Sequence, residues 1–235
     1  MQLPFFYIDD YDASQTQIVL TEEASKHIVQ VLRMRIGQQL NLTDGKGNLL
    51  TCEITDDHKK YCTVLINSKK QIPKSTRRVS IAISLLKNAN RFEWFLEKAT
   101  EIGVTEIIPL ICTRTEKEKF RYDRMKGICV SAMLQSQQCW LPLLQEPVEF
   151  AKAVFKLNAE AKFIAHCAEG VKDYLAVQPI NQLDSSIILI GPEGDFTSDE
   201  INLALQNDFK AVSLGDTRLR TETAGLVAAI FLCHT

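Results

Sequence analysis

The stretch Ile187-Ile188-Leu189-Ile190-Gly191-Pro192-Glu193-Gly194-Asp195-Phe196 decides the fold, because an unbroken apolar run gives way at once to glycine, proline and acid. A short apolar run bounded by turn residues reads as a strand buried on both faces, the habit of parallel sheets covered by helices. The same theme repeats on either side. Thr197, with Glu200 at the third position after it, forms a capping box that opens a helix. Residues 211–214 make another short apolar strand, and beyond Gly215-Asp216-Thr217-Arg218-Leu219-Arg220 a helix runs through 224–232. Upstream, residues 79–85, 104–111 and 163–167 read as strands and residues 122–138 as a helix, while Asn90 with Glu93 reads as the capped start of a helix ending before Gly103. Strands alternating with helices predict an α/β domain with a mainly parallel sheet.

Before residue 68 the pattern differs. Thr21 caps a helix with Glu22 and Glu23 in its first turn, an apolar face of Ala24, Ile28, Val31 and Leu32, and an end at Gly37. Residues 39–43 and 48–54 alternate apolar and polar about Asp44-Gly45-Lys46-Gly47, a hairpin, and residues 62–66 add a strand. This is a small, mainly β domain. The polar, basic segment from Ser68 to Arg78, with Pro73 inside it, reads as a linker, so the expected domains are residues 1–72 and 73–235.

With 235 residues, 46% of them hydrophobic, the chain can bury a sizeable core. Its start, Met1-Gln2-Leu3-Pro4-Phe5-Phe6, has no signal-peptide pattern, and no apolar run reaches membrane-spanning length, which places the chain in the cytoplasm with no membrane partner. Seven scattered cysteines (Cys52, Cys62, Cys112, Cys129, Cys139, Cys167, Cys233) form no CxxC pair, so they read as buried thiols. His27, His58, His166 and His234 lack metal-ligand spacing, and no metal is expected. The net charge is 27 − 29 = −2; residues 1–78 hold 11 basic against 9 acidic side chains, leaving −4 for the remainder. Basic clusters at Lys69, Lys70, Lys74, Arg77 and Arg78, and between Arg114 and Lys126, are of a kind that can track phosphate, although each reads first as solvated surface.

Ligands of open α/β sheets bind beyond the C-terminal ends of strands, which directs attention to the loops starting at Gly191 and Gly215. Neither loop matches GxGxxG or GxxxxGK[ST], so the usual nucleotide folds are not supported. Gly191, Gly194 and Gly215 let backbone approach a ligand closely. Arg218, Arg220 and Glu222 stand immediately before an almost wholly apolar helix and call for a solvent-facing or functional reason.

These loops resemble the two C-terminal signatures of the 16S ribosomal RNA uridine-N3 methyltransferases of the SPOUT superfamily. The segments His27-Ile28-Val29-Gln30-Val31-Leu32-Arg33, Glu97-Lys98-Ala99-Thr100-Glu101-Ile102-Gly103-Val104 and Gln135-Ser136 are similar to further elements of that family in the same order. Asp195 replaces the family's usual third glycine, Gln138 a common arginine, and Leu3-Pro4 an early arginine. The resemblance implies a PUA-like RNA-binding domain followed by a trefoil-knotted SPOUT domain, a homodimer, S-adenosylmethionine as cofactor, and 16S ribosomal RNA or the small ribosomal subunit as substrate. It places His166, Ile190, Gly191, Pro192, Glu193, Gly194, Leu214, Gly215, Leu219, Arg220, Thr223 and Ala224 at the cofactor.

Uracil N3 carries a proton and its electrons are delocalised into two carbonyls, so methylation needs the proton removed and the charge spreading onto O2 and O4 stabilised. Arg220 is the candidate for the second task and Glu222 for the first, against a pairing of the two with each other or across a dimer. Lys26, His27, Arg33 and Arg35 are the candidate RNA contacts. The competing class is a non-catalytic RNA-binding ribosome assembly factor, against which the Leu219-Arg220-Thr221-Glu222-Thr223 segment speaks; cofactor binding discriminates the two. A small-molecule α/β enzyme would leave the basic linker and β domain without a use.

Overall fold

The structure, a computed structural model, describes residues 3–234; Met1 and Gln2, part of the segment read above for a signal-peptide pattern, lie outside it with Thr235. The chain forms two compact units, one running through Lys74 and including Met133–Leu141, the other made of Ser75–Ala132 and the chain from Pro142 onward.

The first unit is a five-stranded sheet of β1 (Phe5–Tyr7), β2 (Gln17–Val19), β3 (Gln39–Thr43), β4 (Asn48–Asp56) and β5 (Thr63–Gln71) in the order β1-β3-β4-β5-β2. Only the β1–β3 pairing is parallel. Alternation along the hairpin turns Leu40, Leu42, Leu50, Cys52 and Ile54 into the core, where they meet Ile28. Helix α1 (Glu22–Lys26) is capped by Thr21, whose hydroxyl accepts from Ala24 N at 3.3 Å. The helix does not run on to Gly37. It widens into a π-helical turn over His27–Val31, with Leu32 N donating to His27 O, and stops at Arg33, whose φ is 56°. The wider turn rotates the later side chains, so Ile28 stays buried while Val31 and Leu32, expected on the apolar face, are exposed.

β5 also extends beyond its expected end. Ser68, Lys69 and Lys70 pair with Thr51, Leu50 and Leu49, so they are strand and not linker. Lys69 donates to the carbonyls of Ala13 and Gln15 and covers the Tyr11 ring, and Lys74 lies over Trp140. Much of this basic cluster is therefore occupied by the protein itself. The turn glycine of the β3–β4 hairpin has a specific reason: at Gly47, with φ of 93°, a Cβ would come within 2.4 Å of the Trp140 ring.

In the second unit, β6 (Arg78–Ser84), β7 (Glu106–Ile111), β8 (Leu143–Leu144), β9 (Val148–Glu149), β10 (Ala161–Ala165), β11 (Asp173–Tyr174), β12 (Ser185–Ile190) and β13 (Lys210–Ser213) build one sheet. Its order is β11-β13-β10-β12-β6-β7-β8, with β9 also on β7, and every pairing among the described strands is parallel. The helices are α2 (Ala89–Ile102), α3 (Tyr122–Gln135, whose residues from Met133 belong to the first unit), α4 (Phe150–Lys156), α5 (Ser198–Gln206) and α6 (Thr221–His234). This is the mainly parallel α/β architecture expected of a SPOUT domain. The cap of α2 is Asn88, whose side chain accepts from Asn90 N, and not Asn90; Glu93 is taken by Arg124 at 2.6 and 2.8 Å. The capping box on α5 forms as expected, and Glu200 also accepts from Thr113 N. Helix α6 packs closely on the sheet and α2 because Gly225 has no Cβ to meet Phe95 and Ile83, which would lie at 2.7 and 2.8 Å. The consequence for function is that β10, β12 and β13 are neighbours, so the loops leaving them converge.

Candidate functional site

A cavity of about 690 Å³ lies over the C-terminal ends of these three strands. Ala165, His166, Cys167 and Lys172 form one wall, Ile190 through Glu193 with Asp195 a second, and Val212 through Thr221 with Ala224 the third. A parallel sheet leaves backbone groups unpaired at its strand ends, and three adjacent ends give a ligand many partners at once.

The second wall is held rigidly. Asp195 takes a left-handed backbone, φ 63°, which favours glycine, and its carboxylate offsets that strain by accepting from Cys167 N and Phe196 N, both at 2.8 Å. The departure from a glycine here thus ties two walls of the cavity together. Glu193 accepts from Lys87 N at 3.1 Å, and Arg114 donates to Gly194 O at 2.6 Å. Gly191 lies so close to Phe196 that a Cβ would sit 3.1 Å from its ring and backbone nitrogen.

In the first wall, Lys172 donates to the carbonyls of His166 and Ala168, both at 2.8 Å, and holds the loop in place. His166 Nδ1 is buried without a hydrogen-bond partner. Burial pushes the His166 imidazole below its ordinary pKa; Lys172 adds to this and Asp195 opposes it. The ring is held neutral at the cavity wall.

Beside the cavity lies a smaller recess of about 360 Å³, lined by Asn90, Arg91, Trp94, Arg220, Glu222 and Thr223. Arg220 borders both spaces. Glu222 does not pair with Arg220 as the alternative reading had it; its Oε1 lies 3.6 Å from Arg91 Nε, and its buried Oε2 has no partner.

Of the residues assigned to the cofactor from sequence, ten line the cavity: His166, Ile190, Gly191, Pro192, Glu193, Leu214, Gly215, Leu219, Arg220 and Ala224. Gly194 instead faces the Arg114 side chain, and Thr223 joins Glu222 in the recess. Lys172 lies outside the glycine loops and the periodic segments and carries no sequence signal; Asp216 sits in the Gly215 loop but is not assigned to the site from sequence, nor are Asn90, Arg91 and Trp94. Lys26, His27, Arg33 and Arg35 are all exposed in the first unit. Lys26 pairs with Glu22 and Arg35 with Asp57, exposed pairs of small worth that a phosphate can replace, and His27 meets the Phe6 ring edge-on. Arg77 and Arg78 instead donate to Leu232 O and Asn158 O. The cysteines are unpaired; five are buried, Cys167 is exposed, and burial pushes the Cys52 and Cys112 thiols up to about 12. Among the described residues no helix is long and apolar enough to cross a membrane, and no side-chain cluster could hold a metal ion.

Residues 73–232 match the family model described as an RNA methyltransferase domain, and residues 20–67 match that of an RNA methyltransferase PUA domain. The ribosomal RNA small subunit methyltransferase E of Rickettsia conorii is 27% identical over 227 residues, covering 94% of this chain and 91% of that protein. A probable rRNA-methyltransferase from Porphyromonas gingivalis superposes with a TM-score of 0.88 at 35% identity, covering 98% of each chain. The Neisseria gonorrhoeae ribosomal RNA small subunit methyltransferase E bound to S-adenosyl methionine superposes at 0.86 with 29% identity, covering 97% of each chain.

Proposed function

Since the chain belongs to the RNA methyltransferase family, we propose that it transfers a methyl group from S-adenosylmethionine to N3 of a uridine in 16S ribosomal RNA of the small ribosomal subunit. The observation that carries this reading is the position of Arg220 on the border of both cavity and recess, where one cation can act between a methyl donor and its acceptor.

The cavity suits the cofactor. Its volume is in the range of small-molecule sites, roughly 300–1,000 Å³, the glycines at 191 and 215 open backbone groups to it, and His166 Nδ1 is an unused polar atom in its wall. When bound, S-adenosylmethionine supplies an electron-poor methyl on a sulfonium. The residues of the chain do the rest. Arg220 stabilises the negative charge that spreads onto uracil O2 and O4 as the N3 proton leaves. Glu222, buried and short of hydrogen-bond donors, accepts that proton.

Residues 1–72 serve as the PUA-like RNA-binding domain and residues 73–235 as the SPOUT methyltransferase domain. Lys26, His27, Arg33 and Arg35 hold RNA phosphate; the π-helical turn and the left-handed Arg33 beside it are irregularities of the kind found at functional sites. A cytoplasmic homodimer completes the reading, and the exposed Ile230 on the nearly all-apolar α6 supports a partner there. Mass spectrometry of ribosomal RNA nucleosides from cells with and without this protein is the test. The expected result is loss of 3-methyluridine from 16S RNA in its absence; an undiminished level overturns the reading.

A further inference from the structure

We propose that the recess beside the cavity seats the acceptor base and reads its imide edge, which makes Asn90, Arg91 and Trp94 specificity-determining residues for uracil over cytosine. The proposal rests on the methyltransferase reading above and adds to it the place and chemistry of base recognition.

The first observation is an incomplete carboxylate. Glu222 is only 7% exposed; its Oε2 is sealed with no donor, and its Oε1 is 3.6 Å from Arg91 Nε, an ion-pair distance beyond hydrogen-bond reach. Its place in the first turn of α6 favours a negative charge but supplies no hydrogen bond to the buried oxygen. Burying a carboxylate without donors is costly, so the site is complete only when something in the recess donates to it after a small side-chain movement.

The second observation is the set of groups offered. The recess brings together an acceptor, Glu222, and donors: the guanidinium groups of Arg91 and Arg220 and the amide of Asn90. The Watson–Crick edge of uracil is the complement, a central N3–H donor between the acceptors O4 and O2. Cytosine presents a lone pair at N3, which would face the carboxylate, and an amine at position 4, which would face a cation. A methyl on N3 removes the donor, so the reaction product no longer matches the recess and is released. The Trp94 ring, 41% exposed at the same recess, offers the face on which a splayed-out base stacks.

The chain contains two tryptophans, so full-length protein labelled with 5-fluorotryptophan gives two fluorine resonances, and the Trp94→Phe variant assigns that of Trp94. With S-adenosylhomocysteine present, uridine 5′-monophosphate is expected to move the Trp94 resonance saturably, with cytidine and 3-methyluridine 5′-monophosphates about tenfold weaker. Glu222→Gln, which can donate to cytosine N3, should bring the cytidine nucleotide close to the uridine one. Equal responses to the two nucleotides in the unmodified protein, or none up to roughly 50 mM, overturn the proposal. On unmethylated small subunits, Trp94→Ala should raise KM about tenfold with little change in kcat, and Trp94→Phe should restore it. A changed oligomeric state of Trp94→Ala in sedimentation would make the recess a subunit contact and also overturn the proposal. If the uridine response holds while the unmodified protein methylates no ribosomal RNA, the functional reading fails and the pyrimidine recess stands.

Discussion

The two glycine-bearing loops at the ends of β12 and β13 have similar compositions and opposite mechanical characters. The loop after β12 is clamped from several sides: Lys87 N on Glu193, Arg114 on Gly194 O, and the Asp195 carboxylate between Cys167 and Phe196. The loop after β13 is held by the Ser213 hydroxyl around Gly215 and by the contact of Tyr174 with Asp216, and residues 215–218 are exposed. The first is a preformed wall and the second carries charges free to settle on a ligand. A site that must fix a cofactor and then stabilise a charge appearing only during reaction needs both kinds of loop.

The strongest test of this division is Arg220→Ala. Its charge acts mainly in the transition state, so the single-turnover methylation rate should fall about a hundredfold, roughly 3 kcal/mol, while cofactor affinity measured by calorimetry changes little. Raising the pH should partly rescue the variant, because more of the uracil is then already deprotonated. A near-normal rate removes Arg220 from the mechanism, and lost cofactor binding turns the second loop into a wall like the first.

The clamped loop should show the reverse behaviour. Asp195→Ala keeps the unfavourable left-handed backbone and removes acceptors from two backbone N–H groups, so stability and cofactor affinity together should drop by about 2 kcal/mol. Asp195→Gly relieves the strain and should lose less. Denaturant midpoints and calorimetry on the two variants rank them, and equal losses would mean that the backbone conformation does not matter.

The difference between the loops also marks what could be read from sequence. Glycines, capping residues and apolar runs are local signals, so the parallel sheet, the α5 capping box and ten of the cavity residues were legible. The two-residue strands β8, β9 and β11 and the short helix α4 were not, because elements so short carry almost no period and exist only through pairing or packing. Lys172 enters the cavity through hydrogen bonds to carbonyls of its own loop, and Trp140 meets Gly47 from far along the chain; both depend on tertiary contacts. The early end of the first helix at Arg33 was missed because a π-helical turn is set by the packing of Ile28 and Met34 and has no spacing of its own.

If the cofactor loops and the RNA surface are separate devices, changes at the second should leave the first untouched. Replacing Arg33 and Arg35 by Ala should weaken RNA binding about tenfold at moderate salt and reduce the slope of log affinity against log salt by about one for each lost phosphate contact. Cofactor affinity should stay constant. An unchanged slope places the RNA surface elsewhere, and altered cofactor binding denies the separation.

The smallest expected effect lies where the clamped loop meets its neighbour, at His166. Burial, with Lys172 beside it, depresses the folded-state pKa below the ordinary 6.5, so in the window just under that value the unfolded chain binds more protons than the folded one. Stability therefore rises with pH through this window and is level above it, the sign expected of a histidine that must be buried neutral. The same logic governs the cavity. A ligand group that donates to Nδ1 needs that nitrogen unprotonated, and protonation would bring a second positive charge next to Lys172. Affinity for S-adenosylhomocysteine should be constant above pH 6.5 and decline as the pH falls below the depressed pKa of His166. His166→Gln, which cannot titrate, should flatten the profile. Calorimetric titrations of both proteins across this range decide the matter: a flat profile in the unmodified protein, or a decline that persists in the variant, excludes His166 as the titrating contact and leaves Nδ1 a buried atom without a role in the cavity.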